Sequence, residues 1–145
     1  MTQLTRIQMV VYLQAVELFT YCTAEQMVRI ASIARQRNFA AGEEIYRAND
    51  PADSMYCIAQ GAVTLTHPEG GERRFGQKEI FGVEEILSDR LRGENARAAE
   101  DTVALAIDAE DFFDLLSNNI EIVKALFRQL LRNPSRSLAL AETDA

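Results

Sequence analysis

The chain has 145 residues, with 22 acidic and 15 basic side chains, and its formal net charge is −7. An acidic chain without a dense basic stripe is a poor candidate for nucleic-acid binding, because neutralising phosphates supplies most of that affinity. The longest strictly apolar run is too short to cross a bilayer, and the chain does not open with a basic segment followed by an apolar one. We therefore expect a cytoplasmic protein with no transmembrane segment and no nucleic-acid partner.

The first 40 residues are predicted to be helical. Apolar side chains recur there at three- and four-residue spacing and form one stripe: Leu4, Ile7, Val11, Ala15 and Leu18. Thr23 and Gln26 have the spacing of a capping box, in which each side chain bonds to the other residue's backbone N–H. The helix that this box starts is predicted to end near Arg37.

Between Gly42 and Ile107 the apolar period changes to two residues, which is typical of half-buried strands. Strands are predicted at 44–47, 54–59, 63–66, 72–75 and 103–107. Turns that contain Gly or Pro separate these strands, and the turn at 67–71 is predicted to be a hairpin loop. Many short strands of this kind indicate an antiparallel β jelly-roll barrel.

Helix returns at Asp108, whose carboxylate is suited to cap a helix N-terminus. A last helix is predicted to begin at Asn118 or Asn119 and to end at Pro134. Its apolar residues are Ile120, Val123, Leu126, Phe127, Leu130 and Leu131. The predicted fold is thus mainly β with flanking helices, formed by one domain at 1–134, and a flexible tail follows at 135–145.

Catalytic and metal-binding chemistry has little material in this chain. His67 is the only histidine, and Cys22 and Cys57 are the only cysteines. A metal-dependent oxygenase on a jelly roll needs several histidine and carboxylate ligands, which one histidine cannot supply. Two cysteines without a zinc spacing are best interpreted as reduced thiols. We therefore expect a protein that is not an enzyme, with no metal site and no cofactor.

Three short segments carry a resemblance to a known family: Phe39–Tyr46, Asn49–Tyr56 and Gly61–Val63. In order and spacing they resemble the cyclic nucleotide-binding domain family, whose pattern is Phe-x-x-Gly-x-x-Ile, then Gly-Asp-x-x-x-x-x-Tyr, then Gly-x-Val. Asn49 stands where a glycine is usual. The resemblance runs over about residues 15–132 and implies a ligand-sensing jelly roll with N-terminal helices, a short cassette helix and C-terminal helices.

The resemblance also implies a phosphate-binding cassette. In the family it begins Phe-Gly-Glu and ends Pro-Arg-Ser/Thr-Ala; the Glu accepts from the ribose 2′-hydroxyl and the Arg pairs with the cyclic phosphate. Phe81 and Gly82 match the beginning, and Arg97, Ala98 and Ala99 resemble the end. By this resemblance Arg97 is expected to pair with the phosphate, with the backbone amides of Gly82, Ala98 and Ala99 beside it.

Val83 departs from the family pattern, because it occupies the position of the ribose-binding Glu and has no acceptor. Fourteen positions separate Val83 from Arg97, more than the family commonly shows, so 88–95 is predicted to be an expanded loop. Glu84 or Glu85 supplies the missing acceptor only if the short helix is rotated by one residue. An alternative is that Arg97 bridges to Glu84 or Glu85 and binds no ligand.

The leading hypothesis is a non-enzymatic regulatory module whose binding of a cyclic nucleotide, or another small anion, is weak or altered. The alternative is a functional cAMP or cGMP sensor that uses Arg97 and a repositioned Glu84 or Glu85. The predicted ligand-binding residues are Phe81, Gly82, Val83, Glu84, Glu85, Arg97, Ala98 and Ala99. The first half of the last helix is expected to pack on its own domain, and a homodimer contact is predicted through Val123, Phe127, Leu130 and Leu131.

Overall fold

The computed structural model describes residues 3–132. Five α-helices and eight strands follow one another in this range, with a short 3-10 turn at Glu17–Phe19. The helices are α1 (Arg6–Gln14), α2 (Ala24–Ser32), α3 (Glu84–Ser88), α4 (Ala109–Ser117) and α5 (Ile120–Arg132). The strands are β1 (Ala34–Phe39), β2 (Glu44–Tyr46), β3 (Ser54–Gln60), β4 (Val63–Thr66), β5 (Glu72–Phe75), β6 (Ile80–Phe81), β7 (Asn95–Ala98) and β8 (Thr102–Asp108). The predicted tail and the predicted helix end at Pro134 lie outside the described residues.

The strands form two four-stranded antiparallel sheets, in the orders β1-β8-β3-β6 and β2-β7-β4-β5. This arrangement confirms the predicted fold class, with helices before and after the strands and a short helix inside the cassette. The sheets do not close into a barrel, so the molecule is a β-roll of two separate sheets. The hairpin predicted around 67–71 is present and joins β4 to β5.

The strands β3 and β8 of the first sheet are buried on both faces, which explains their continuous apolar runs. In β3, Met55 and Cys57 belong to an apolar cluster that also contains residues of the helices. The alternate residues Tyr56 and Ile58 belong to a second cluster that lies between the two sheets. A small residue, Ala106, faces the second cluster from β8 and leaves room for aromatic rings there.

The buried face of α1 differs from the predicted stripe. Ile7 and Val11 are 76% and 60% exposed, whereas Met9 and Leu13 are 8% and 0% exposed. Apolar residues occur on two faces of this helix, so spacing alone did not identify the face that packs. The prediction of a single stripe through Ile7 and Val11 was therefore wrong.

The capping box of the second helix is confirmed, and the predicted end of that helix is wrong. Thr23 Oγ1 accepts from the Gln26 N–H at 3.2 Å, and the Thr23 N–H donates to Gln26 Oε1 at 2.9 Å. The helix ends at Ser32, and β1 begins two residues later. All six residues of β1 pair with β8, from Ala34 opposite Ile107 to Phe39 opposite Thr102. These pairings outweigh the local preference of a polar, alanine-containing segment for helix.

The two C-terminal helices begin as predicted but α5 buries a different face. Asp108 Oδ1 accepts from the backbone N–H groups of Glu110 and Asp111, at 2.9 and 3.2 Å, and so caps α4. The side of α5 that packs on the domain consists of Ile122, Ala125, Leu126 and Gln129. Among the residues predicted to form one apolar side, Ile120, Phe127 and Leu131 are exposed. No helix within residues 3–132 combines the length and apolar character needed to cross a membrane.

Candidate functional site

The cassette begins where β6 ends against the aromatic cluster between the sheets. Phe81 is 2% exposed and stacks on Tyr56, with ring centroids 5.1 Å apart. Gly82 follows with a φ of +82°, a conformation that favours glycine. A Cβ atom at Gly82 would lie 3.0 Å from Arg92 Nη1 and 3.3 Å from the Ser54 carbonyl oxygen. The glycine is therefore required both by its backbone angle and by the close approach of the Arg92 side chain.

Arg92 is the buried cation of this cassette, with 2% of its surface exposed. Its Nη1 donates to the Gly82 carbonyl at 2.8 Å and to Glu85 Oε1 at 3.1 Å, and its Nη2 donates to the Ser54 carbonyl. The guanidinium carbon also lies 4.1 Å from the centroid of the Tyr46 ring, a favourable cation–π position. Its Nε is buried and has no acceptor among the described residues.

The backbone of Arg92 is fixed by the turn before β3. The Asn49 N–H donates to the Arg92 carbonyl at 2.7 Å, and the Arg92 N–H donates to the Asp50 carbonyl at 2.9 Å. Asn49 has a φ of +77°, which explains why a glycine is usual at this position and why asparagine, which tolerates left-handed angles, replaces it. The cassette loop and this turn therefore hold the arginine from both sides.

A second arginine, Arg73 on β5, pairs with two other carboxylates of the cassette. Its Nη2 lies 2.6 Å from Glu94 Oε1 and 3.5 Å from Glu84 Oε1. Burial raises the pKa of Glu84, and the Arg73 guanidinium opposes part of that rise. With Glu85 on Arg92, three glutamates of the cassette contact two arginines, so the carboxylates outnumber the cations by one.

Arg97, predicted to bind the phosphate, lies on the outer face of the second sheet. Its side chain is 60% exposed, Nη1 donates to the Gly42 carbonyl at 2.6 Å, and Nη2 lies 3.9 Å from Glu44 Oε2. Strand alternation is the cause, because Ala96 and Ala98 of the same strand point inward and are buried. The prediction for Arg97 was therefore wrong, and so was the alternative bridge to Glu84 or Glu85, since Arg97 lies near Glu44 instead.

Val83, Ala98 and Ala99 are also not placed to contact a phosphate or a ribose. Val83 is 1% exposed and packs in the apolar cluster beneath the helices. The Ala98 N–H donates to the Glu43 carbonyl at 2.9 Å, and the Ala99 N–H donates to the Ala62 carbonyl at 2.8 Å. The two amides that were expected to face a ligand thus belong to the backbone bonding of the sheet.

Glu84 and Glu85 both remain at the cassette, at the beginning of α3. They point to different partners, Glu84 to Arg73 and Glu85 to Arg92, as expected for neighbours on a helix. Of the residues predicted to bind a ligand, the structure brings Gly82, Glu84 and Glu85 close to the two arginine side chains described above.

The sequence interpretation did not identify Arg92 or the aromatic ring beneath it. The signal was the spacing, since Arg92 follows Val83 by nine positions and Arg97 follows it by fourteen. Helix α3 ends at Ser88 and the short strand β7 begins at Asn95, so the loop between them covers 89–94. Arg92 lies in this loop, whereas Arg97 lies in the strand that follows it. Within residues 3–132, no cluster of three or more His, Cys, Asp or Glu side chains is arranged to hold a metal ion.

The described residues thus combine a two-sheet roll, flanking helices and a buried arginine held at a glycine turn. Residues 36–119, more than half of the chain, match the family model described as "Cyclic nucleotide-binding domain". The chain belongs to this family of regulatory domains.

Individual relatives agree with this assignment. The Cyclic AMP receptor protein of Thermus thermophilus is 33% identical over 104 residues, which are 68% of this chain and 48% of that protein. A Cyclic nucleotide-gated potassium channel of Mesorhizobium japonicum is 30% identical over 115 residues, which are 79% of this chain and 32% of the channel. The N-terminal domain of a transcriptional regulator from Streptomyces coelicolor A3(2) superposes with a TM-score of 0.73 at 26% identity, covering 92% of this chain and 99% of that domain. The chain thus spans less than half the length of both curated relatives.

Proposed function

We propose that residues 1–134 form a non-enzymatic regulatory domain that binds a cyclic nucleotide weakly through Arg92. The observation that carries the proposal is the buried Arg92 guanidinium, whose Nε has no acceptor among residues 3–132. An unpaired buried donor costs about 1–3 kcal/mol, and more when the group is charged. A phosphate oxygen at Nε would remove that cost and form a charge-assisted hydrogen bond.

Weak affinity is expected because protein groups already accept from three of the four Nη hydrogens of Arg92. Glu85 supplies the only carboxylate within ion-pair distance of Arg92 among the described residues, and the Ser54 and Gly82 carbonyls accept the remaining bonds. An incoming phosphate must therefore compete with Glu85. The buried Val83 supplies no acceptor for a ribose hydroxyl, so the exchange has little compensation from the sugar.

The names of the relatives support the choice of ligand. The Thermus protein is named as a cyclic AMP receptor and the Mesorhizobium channel as cyclic nucleotide-gated. The relatives also include the N-terminal domain of a transcriptional regulator. The absence of a nucleic-acid partner therefore stays a prediction, which rests on the acidic net charge of this chain.

Isothermal titration with cAMP and cGMP tests the proposal on three proteins: the unchanged chain, Glu85→Gln and Arg97→Ala. For the unchanged chain we expect a dissociation constant of at least about 0.1 mM, which corresponds to roughly −5.5 kcal/mol. Glu85→Gln should tighten binding about tenfold, because the variant removes the competing charge and keeps a hydrogen-bond acceptor. Arg97→Ala is the matched control and should bind like the unchanged chain.

Three results would contradict this assignment. Unchanged affinity in Glu85→Gln would mean that Glu85 does not compete with the ligand. Submicromolar binding by the unchanged chain, lost in Arg92→Lys, would favour a fully functional sensor over a weakened one. Loss of binding in Arg97→Ala would show that the exterior arginine holds the ligand after all.

We also infer that the exposed side of α5 contacts a second copy of the chain. Ile120, Phe127 and Leu131 are 65%, 60% and 85% exposed, and their spacing of seven and four residues places them along one side of the helix. Of the residues predicted for this contact, Val123 and Leu130 are half-buried. Sedimentation velocity should show a dimer that Phe127→Glu dissociates. Ile7→Glu, at an exposed position of α1, is the control and should leave the dimer intact. A monomer at all concentrations refutes the inference.

A further inference from the structure

A groove of about 400 Å³ runs on the outside of the roll, between the cassette and the beginning of α4. Its apolar walls come from the turn before β3, from α3 and from α4, through Pro51, Ile86 and Phe113 among others. Leu91 and Phe113 line it while remaining 57% and 45% exposed. Two large apolar side chains are therefore partly in water on either side of one depression, which is typical of a docking surface.

The rim of this groove is acidic. Asp89 and Glu110 line it, and Arg90 is the only basic side chain among the described residues that line it. Three further exposed acidic residues adjoin the lining residues in sequence: Asp53, Asp111 and Asp114. None of these five carboxylates has an ion-pair partner within residues 3–132, so their charge is available to a partner.

We propose that this groove, with its acidic rim, docks a basic amphipathic helix of a partner protein. Apolar side chains of such a helix would cover Leu91 and Phe113, while its Lys and Arg residues would face Glu110 and its acidic neighbours. Helices with apolar anchors on one face commonly bind in grooves of this kind. Complementary charge at the rim speeds the encounter and selects the partner.

Charge disfavours a two-fold symmetric contact of this groove with the same groove of a second copy. A two-fold symmetric contact places the same patch against itself, so the acidic rims of two copies would face each other. Like charges in close juxtaposition are destabilising. The exposed apolar residues of α5, Ile120, Phe127 and Leu131, do not line this groove.

Fluorescence anisotropy with three labelled helical peptides of about 14 residues tests the docking proposal without any nucleotide, so its outcome is independent of the proposed ligand binding. The first peptide has leucines on one face and lysines on the other. The second replaces the lysines by glutamates, and the third replaces the leucines by serines. We expect the first peptide to bind at least tenfold more tightly than either of the others, and binding should weaken as salt is raised.

Three variants locate the binding site on the protein. Glu110→Lys and Phe113→Ser should each weaken the leucine–lysine peptide at least fivefold, and Ile7→Ser, which removes an exposed apolar side chain elsewhere, should leave binding unchanged. Circular dichroism checks that each variant is folded, and Glu110 has no side-chain partner within residues 3–132 whose loss would disturb the fold. Equal binding of the lysine and glutamate peptides overturns the proposal. The proposal is also overturned if Ile7→Ser weakens peptide binding as much as Phe113→Ser does. A dimer that forms without peptide and that Phe113→Ser dissociates would overturn it as well.

Discussion

Removing the Arg92 side chain is expected to destabilise the fold far more than removing that of Arg97. Arg92→Ala leaves Glu85, which is 12% exposed, without its partner and frees two buried carbonyl oxygens, those of Gly82 and Ser54. Breaking a buried ion pair by deleting one partner costs about 3–5 kcal/mol. Arg97 is 60% exposed and lies 3.9 Å from Glu44, so its removal should cost about 0–1 kcal/mol.

Urea unfolding followed by far-ultraviolet circular dichroism measures both values. The comparison requires that the free energy of unfolding falls with urea concentration at the same slope in each variant. Arg92→Met separates packing from polar bonding, because methionine fills much of the volume beside Tyr46 but donates no hydrogen bond. If bonding dominates, the methionine variant should recover less than half of the loss. A cost below about 1 kcal/mol for Arg92→Ala, or a cost equal to that of Arg97→Ala, would refute the view that Arg92 organises the cassette.

Three further predictions follow from single positions. Gly82→Ala should cost at least about 1 kcal/mol more than Gly42→Ala in the same urea assay, because both glycines have positive φ but only Gly82 has close neighbours for a Cβ; equal costs would mean that the close approach is unimportant. Val83→Glu should lower stability by several kcal/mol without creating nucleotide affinity, and the loss should shrink at acid pH, where the carboxyl is neutral; a stable variant with tightened cAMP binding would contradict the buried placement of Val83. Burial raises the pKa of the Cys57 thiol to about 12, so Ellman's reagent should react with it slowly in the folded protein and rapidly in urea; fast labelling of the native thiol would show that the first sheet opens readily.

The strands with an alternating or continuous apolar pattern could be predicted from the sequence, and a mostly polar edge strand could not. Val63–Thr66 was located correctly because it places apolar and polar residues in turn, and Glu72–Phe75 was located as its return strand across a glycine turn. The strand Ala34–Phe39 was missed because its sequence is mostly polar and it lies at the edge of its sheet. Its identity depends on pairing with β8, about 70 residues away in the chain, which local patterns do not contain.

The same distinction applies to the site. The resemblance placed the beginning of the cassette at Phe81 and Gly82. It placed the end at Arg97-Ala98-Ala99, because a local sequence match was preferred over the number of residues that separate the arginine from Val83. Physically, the Ala-Arg-Ala pattern is that of a strand with small residues inside and a charge outside. Which arginine is buried depended on where β7 begins, and a four-residue segment with two alanines and one arginine gave little sign of a strand boundary.

A carboxylate that occupies the arginine before any ligand arrives makes ligand binding an exchange. The free energy of binding is then the difference between two charge-assisted interactions of similar strength, one with phosphate and one with Glu85, and such a difference is small. Glu85 belongs to α3, so its release would free a helix that now has its side chain tied to Arg92. A ligand changes a conformational equilibrium only through its different affinities for the two states. On this reasoning the Glu85–Arg92 pair both weakens ligand binding and supplies the contact through which a bound ligand would be sensed, and Glu85→Gln should tighten binding while reducing the structural response of α3.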